Sequence, residues 1–254
     1  MVVKRSMGVA VAMGPCWILL SVLASAEPQF TERLVRPLGL ENGALFVHSG
    51  ISQSHFRFVV AMLARSARVP IGFEEVAQVP QEYDGNLAKV SAEDRTTLIG
   101  LTVGKALDAL VAADPRYAWR EQDGVLIIRP VEAWPDGTHF LSEIVGPIHE
   151  KGQRAMDIVK RLYDRKGLRI QWSSGGVIGE PPKREGDLDL PISVTLPTTT
   201  MLDVLNAITK SHGQLGWLVE YARGPAEFRY SCIRLITFDG RFGGVGPIAC
   251  PAGF

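Results

Sequence analysis

The chain has 254 residues, 46% of them hydrophobic and 21% charged, which is ample apolar material for a core and rules out a disordered chain. Its 27 basic residues balance 27 acidic ones, so no global positive field exists to attract nucleic acid or an anionic membrane surface, and nucleic acid is not expected as a partner.

In chain order, the first signal is at the N-terminus. Lys4 and Arg5 form a basic region, Val9 to Leu23 an apolar one, and Ala24-Ser25-Ala26 a small-x-small cleavage site before Glu27. Residues 1–26 therefore read as a secretory signal peptide cleaved after Ala26, which places the mature chain in the periplasm or outside the cell with no membrane span. An uncleaved anchor is the alternative, since Met7 to Ala26 is nearly long enough to span; Pro15 in its middle favours removal. Cys16 lacks the flanking pattern of a lipidation site. Cleavage leaves Cys232 and Cys250 in an oxidising compartment. They could form a disulfide tying the Gly/Pro-rich tail to the last strand, worth roughly 3 kcal/mol of loop-closure entropy, or remain two independent thiols.

Glu27 to Gly50 reads as a leader broken by Pro28, Pro37, Gly39 and Gly43, with Ala44 to Val47 a candidate edge strand. Phe56, Val59, Val60 and Leu63 have the spacing of a helix face, and Val69, Ile71 and Phe73 alternate as a strand. Gln78 to Thr96 is polar and charged, the composition of a surface loop. From Thr97 to Pro130 the pattern is fullest. Thr102 stands as N-cap before Val103, Ala106, Leu107, Leu110 and Val111, an amphipathic helix that should stop at Asp114-Pro115. Tyr117, Trp119 and Glu121 then alternate in a strand, Asp123-Gly124 makes a tight turn, and Val125 to Ile128 is a short apolar run that can be buried on both faces.

The same order of elements returns. Ala155, Ile158, Val159 and Leu162 repeat the first helix face, and Leu168, Ile170 and Trp172 the strand after it, both displaced by 99 positions. Met201, Val204, Leu205 and Ile208 repeat Val103, Ala106, Leu107 and Leu110, and Leu215 and Trp217 repeat Tyr117 and Trp119, displaced by 98. A near-constant displacement over two helices and two strands marks an internal duplication. The copies differ in loops: the second has a longer connection from Tyr221 to Glu227 and an insertion from Ser173 to Asp189. Only the second pairs Thr200 with Asp203 as a capping box; the first has Lys105 at the matching position. Val131 to Gly152 reads as the linker, with Phe140 to Val145 contributing one strand.

The expected fold class is α+β, with two tandem small modules, each with two helices packed on one face of a small mixed sheet. The expected organisation is a signal peptide at 1–26, a first module with its leader at 27–130, a linker at 131–152, and a second module with a Gly/Pro-rich tail at 153–254. A Thr-capped helix centred on Ala-Leu-Asp-Ala-Leu, followed by Tyr-x-Trp, Asp-Gly and Ile-Ile-Arg-Pro, resembles the short secretin and TonB N-terminal (STN) domain. The likeness is good over Thr97 to Pro130 and fainter over Ile192 to Phe238. It implies the fold, a periplasmic setting and a tendency to bind proteins. The chain has no run of alternating strands that would make a membrane barrel, so the family's transport role does not carry over.

Chemistry-bearing motifs are sparse. His48, His55, His139, His149 and His212 show no zinc spacing, no nucleophile elbow is present, and Asp187 and Asp189 lack the frame of a calcium loop. Ser173 to Gly176 and Gly240 to Gly246 are glycine-rich without the lysine of a phosphate loop and read as flexible loops. No metal, cofactor or catalytic residue is assigned. Tyr117, Trp119, Trp172 and Trp217 read as core. Trp134 has no strand to explain it and could cover the seam between modules. With His139 and His149 it forms the set of weak ligand-contact candidates. The function expected is a non-enzymatic protein-binding or scaffold module of the cell envelope, acting through sheet-edge contacts with another envelope protein. The alternative is an envelope enzyme or a binder of glycans or small ligands with its site between the modules, near the Ser173 to Asp189 insertion.

Overall fold

The computed structural model describes residues 30–38, 45–76, 94–137, 139–165, 170–177, 189–221, 231–238 and 241–247. The chain is α+β. Its elements are β1 (Phe46–Val47), α1 (Gln53–Ala67), β2 (Ile71–Glu74), β3 (Thr96–Thr97), α2 (Val103–Ala113), β4 (Tyr117–Gln122) and β5 (Val125–Pro130) in the first copy. The second copy supplies β6 (Ile144–Val145), β7 (Ile148–Arg154), α3 (Ala155–Arg165), β8 (Ile170–Val177), β9 (Pro191–Leu196), β10 (Thr199–Thr200), α4 (Met201–His212), β11 (Leu215–Tyr221), β12 (Ser231–Thr237) and β13 (Arg241–Pro247).

Local chemistry places the helix ends. Ser52, Thr102 and Thr200 each accept a backbone N–H three residues on, satisfying one of the donors a helix start leaves open. At Thr200 the capping box is complete, with Asp203 returning a bond to the cap backbone. Helix α2 ends at Ala113, with Asp114 already extended ahead of Pro115. The Asp123-Gly124 turn between β4 and β5 has φ of 55° and 77°, the left-handed pair that a two-residue hairpin needs and that Asp-Gly tolerates.

The duplication survives in backbone pairing. In the second copy β6 pairs antiparallel with β10 ahead of α4, and β7 with β9. In the first, Leu34 bridges Thr102 ahead of α2, and β1 pairs with β3. Leu34 and Val35 thus occupy the place of β6, and Val35, Leu45 and Val47 are buried in the first core. Residues 30–38 and 45–50 are part of the first module's fold. The segment between the copies likewise carries two strands, β6 and the start of β7.

The two sheets join. The strand order is β4-β5-β2-β11-β12-β13-β8, so the first copy contributes three strands, the second four, and β2 meets β11 in parallel at the joint. Alternation across this sheet explains the layering. Ile71, Phe73, Leu126, Ile128, Leu218 and Ile236 face one core with α1 and α2. Val125, Ile127, Trp217, Val219, Ile233 and Leu235 face the other core with α3 and α4. Each module keeps its helices on one face of its own strands, and the other module's helices lie on the opposite side of the shared sheet. A strand buried along its whole length, as β5 is, must be covered on both faces.

Two segments depart from expectation. Ser173 to Gly176 lies within β8 and Gly243, Gly244 and Gly246 within β13, and these two strands pair antiparallel with one irregularity between Arg241 and Gly243. Glycine's low strand propensity argued for loops. Ladder hydrogen bonds to a neighbour on one side, and for β13 on both sides, override it. Strand β13 has no counterpart in the first copy. It separates β12 from β8, where β5 and β2 are adjacent.

Candidate functional site

The joint between the copies is the most chemically elaborate part of the molecule. Strands β2, β5 and β11 are apolar until their last residues, where Glu74, Arg129 and Glu220 carry charges into the sheet, and Arg234 does the same from the middle of β12. All four are buried. On one face Arg57 of α1 pairs with Glu220 and, at 3.2 Å, with Glu75, while Arg234 Nε donates to Glu220 Oε2 at 2.6 Å. Two cations offset two carboxylates, and each pair across Glu220 bonds the first copy to the second or β12 to β11.

On the opposite face Glu74 is the centre. It accepts from Arg129 Nε at 2.6 Å and from the Tyr221 hydroxyl, and His139 Nδ1 lies 2.7 Å from its Oε1 and 3.2 Å from the Tyr221 hydroxyl. Glu74 and Arg129 belong to the first copy, His139 to the connecting segment and Tyr221 to the second copy, so one carboxylate ties three parts of the chain. Burial, and after it the adjacent Glu74 carboxylate, push the Tyr221 hydroxyl far above the ordinary tyrosine range, which keeps it a neutral donor. Trp134 lies against the second core, with the Arg120 guanidinium 4.4 Å and that of Arg129 5.4 Å from its ring centroid. With no exposure, and bonded to Arg129 and Tyr221 beside His139, the Glu74 carboxylate ties the first copy to the second.

Backbone contact at the joint depends on glycine. A Cβ on Gly72 would lie 2.1 Å from the Trp217 ring, and one on Gly216 would lie 2.5 Å from the Ile71 carbonyl oxygen. The Trp217 indole therefore lies across the neighbouring strand at Gly72, its register partner, and its Nε1 donates to Asn206 Oδ1 at 3.1 Å.

The second feature is an open edge. Strand β4 is the last in the sheet and pairs with β5 alone among the described residues. In a two-residue hairpin the residues flanking the turn form a hydrogen-bonded pair. Here these are Gln122 and Val125, so Arg120 and Ala118 also point their backbone groups at β5 while Trp119 and Glu121 point theirs outward. Trp119 is half-buried, and its Nε1 donates to Asp108 Oδ1 at 3.0 Å.

Among the sequence candidates, Trp134 and His139 converge on the Glu74–Arg129 cluster. His149 does not; it is exposed on β7 opposite Thr195. His48 and His55 have ring centroids 5.7 Å apart beside Phe46, away from the joint. Among the described residues no group of three or more His, Cys, Asp or Glu could hold a metal ion, and no helix is long and apolar enough to cross a membrane. Residues 178–188 of the insertion, Cys250 and the signal segment lie outside the described residues. Cys232 is buried and disulfide-bonded. Sequence reasoning passed over Glu74, Arg129, Glu220 and Arg234, although each is a charge inside an apolar strand run, and such a charge requires a buried partner.

Comparison with protein-family models, with curated proteins and with solved structures finds no match to this chain.

Proposed function

We propose that this chain is an exported, non-enzymatic protein-binding or scaffold module of the cell envelope, an STN-like unit in tandem, which engages another envelope protein by strand addition at β4. One observation carries this reading. Strand β4 and its duplicate β11 each pair antiparallel with the strand that follows, yet β11 is flanked by β12 and β2 while β4 has a neighbour on one side only among the described residues. An edge of six residues with outward N–H and C=O groups at Trp119 and Glu121 is a template for a further strand. The disulfide at Cys232 suits an oxidising compartment, and the bonds from Arg129 and Tyr221 that join the two copies at Glu74 suit a structural role for the buried charges.

The test is Glu121→Pro. Proline there removes an outward donor and leaves the β4–β5 ladder its bonds. Partner capture from envelope extract by the mature chain is expected to be lost while circular dichroism stays unchanged; retained capture by the folded variant overturns the reading.

The second reading, a small-ligand or glycan binder between the modules, has one observation in its favour. Arg129 Nη2 and Trp134 Nε1 are both buried without a hydrogen-bond partner among the described residues. Acceptor oxygens of a small ligand would suit those donors. Quenching of tryptophan fluorescence by a ligand screen, lost in Trp134→Phe, would move the assignment to the joint.

A further inference from the structure

The internal duplication supplies a template for what the β4 edge accepts; the inference rests on the strand-addition reading and specifies its partner. Trp119 and Trp217 stand 98 positions apart, as do Asp108 and Asn206, and in both copies the indole Nε1 donates to that helix residue, at 3.0 and 3.1 Å. The two strands thus present the same face and the same outward groups. In the second copy the neighbour is known. Strand β2 runs parallel to β11 with Gly72 opposite Trp217 and Phe73 opposite Leu218, and Glu75 N donates to Val219 O at 2.9 Å. Glu121 is the counterpart of Val219.

We propose that β4 binds, as a parallel strand, an extended segment of a partner protein that carries glycine opposite Trp119 between large apolar residues, a segment of the Ile-Gly-Phe kind. Glycine is required for the reason it is required at position 72: a Cβ there meets the indole at 2.1 Å. A second copy of this chain is a poor occupant. The duplicate of β2 is β8, the other outer strand of the sheet, and there Gln171 stands in the place of Gly72. Head-to-tail addition in the joint's own register is therefore blocked, although it would otherwise extend the sheet without limit. Ala118 stands where Gly216 does, and a Cβ at Gly216 would lie 2.5 Å from the Ile71 carbonyl oxygen, so a strand docked on β4 must sit farther out than β2 does from β11. That makes the contact weaker and reversible.

The probe is a labelled peptide with the sequence of residues 69–76, Val-Pro-Ile-Gly-Phe-Glu-Glu-Val, titrated against the full chain by fluorescence anisotropy. Saturable binding is expected, at least tenfold tighter than for a peptide with valine in place of the glycine. Valine is the better strand former, so the loss cannot come from strand propensity. N-methylation of the peptide nitrogen equivalent to Glu75 N should abolish binding without touching the protein's fold, and Glu121→Pro should do the same from the other side. Equal binding of the glycine and valine peptides, both lost on N-methylation, overturns the glycine requirement and leaves the edge reading standing. No binding by either peptide, with Glu121→Pro still abolishing partner capture, overturns the proposed partner chemistry alone. No binding by either peptide, with capture unaffected by Glu121→Pro, overturns both.

Discussion

Strands β11 and β4 hold matching places in the two repeats and end in opposite situations, and the residues that make the difference are two glycines. Strand β11 has a neighbour on each side because Gly216 lets the Ile71 carbonyl approach and Gly72 leaves room for the Trp217 ring. Strand β4 has Ala118 and a half-buried Trp119 at the corresponding places and stands at the end of the sheet. The closed joint needs both glycines, whereas Ala118 leaves β4 able to take a strand only at a wider spacing. The charges follow the same division: the Arg57–Glu220–Arg234 and Arg129–Glu74–His139 groups lie at the closed joint.

The largest expected effect comes from breaking the joint electrostatically. Arg234→Met removes the Nε donor from Glu220, a carboxylate with 2% exposure, and should cost about 3 kcal/mol in denaturant unfolding because a buried charge loses one of its partners. Replacing Glu220 and Arg234 together by leucines should cost less than the sum of the single changes; additivity would show the pair to be energetically independent.

A steric break of the same joint should be nearly as severe. Gly72→Val drives a side chain into the Trp217 ring, and about 2–3 kcal/mol of overpacking is expected. Gln171→Gly, at the duplicate position on β8, is the informative partner. It removes the obstacle on the β8 side to head-to-tail pairing, and sedimentation should then detect more concentration-dependent association than in the parent chain.

How much of this was legible in the sequence follows from which interactions are local. Helix faces, the Thr102 and Thr200 caps, the stop before Pro115 and the Asp-Gly turn depend on residues within a few positions of one another, and each appears in the structure. The run Val125 to Ile128 also announced that both its faces would be buried, but the pattern does not name the covering layer, which proved to come from the other module. The joint was hidden because its signal is Gly72, a residue whose meaning lies in Trp217, far along the chain. The Ser173 to Gly176 half of β8 and the strand β13 were hidden for a related reason, since two glycine-rich segments make a ladder only once they meet. Glu74 and its donors come from four separate segments and converge only in the fold.

Comparison of the two indole bonds gives a paired prediction of moderate size. Asn206 and Trp217 are buried, so Asn206→Ala leaves an indole N–H without an acceptor and should cost about 2 kcal/mol. Asp108 is exposed, and in Asp108→Ala water replaces the carboxylate, with an expected change of no more than about 0.5 kcal/mol. If the edge peptide covers Trp119, its binding should bring the cost at Asp108 closer to that at Asn206.

The smallest effect separates the copies at their helix caps. Burial alone would raise the Asp203 carboxyl, but hydrogen bonds from the Thr199 and Thr200 hydroxyls, at 2.6 Å each, and from Thr200 N more than offset it, leaving the group below the ordinary aspartate value of 3.8. A depressed pKa in the folded state means that the stabilisation is complete above 3.8 and disappears as the pH falls through the lower folded value. Asp203→Asn should therefore cost about 1 kcal/mol at neutral pH, the same at pH about 4.5, and progressively less below the ordinary aspartate range. Helix α2 has Lys105 where α4 has Asp203, so Thr102→Ala should cost a similar amount with no such pH dependence. A Thr102→Ala penalty that also faded in acid would place the titrating group elsewhere and remove Asp203 as the source of the difference between the copies.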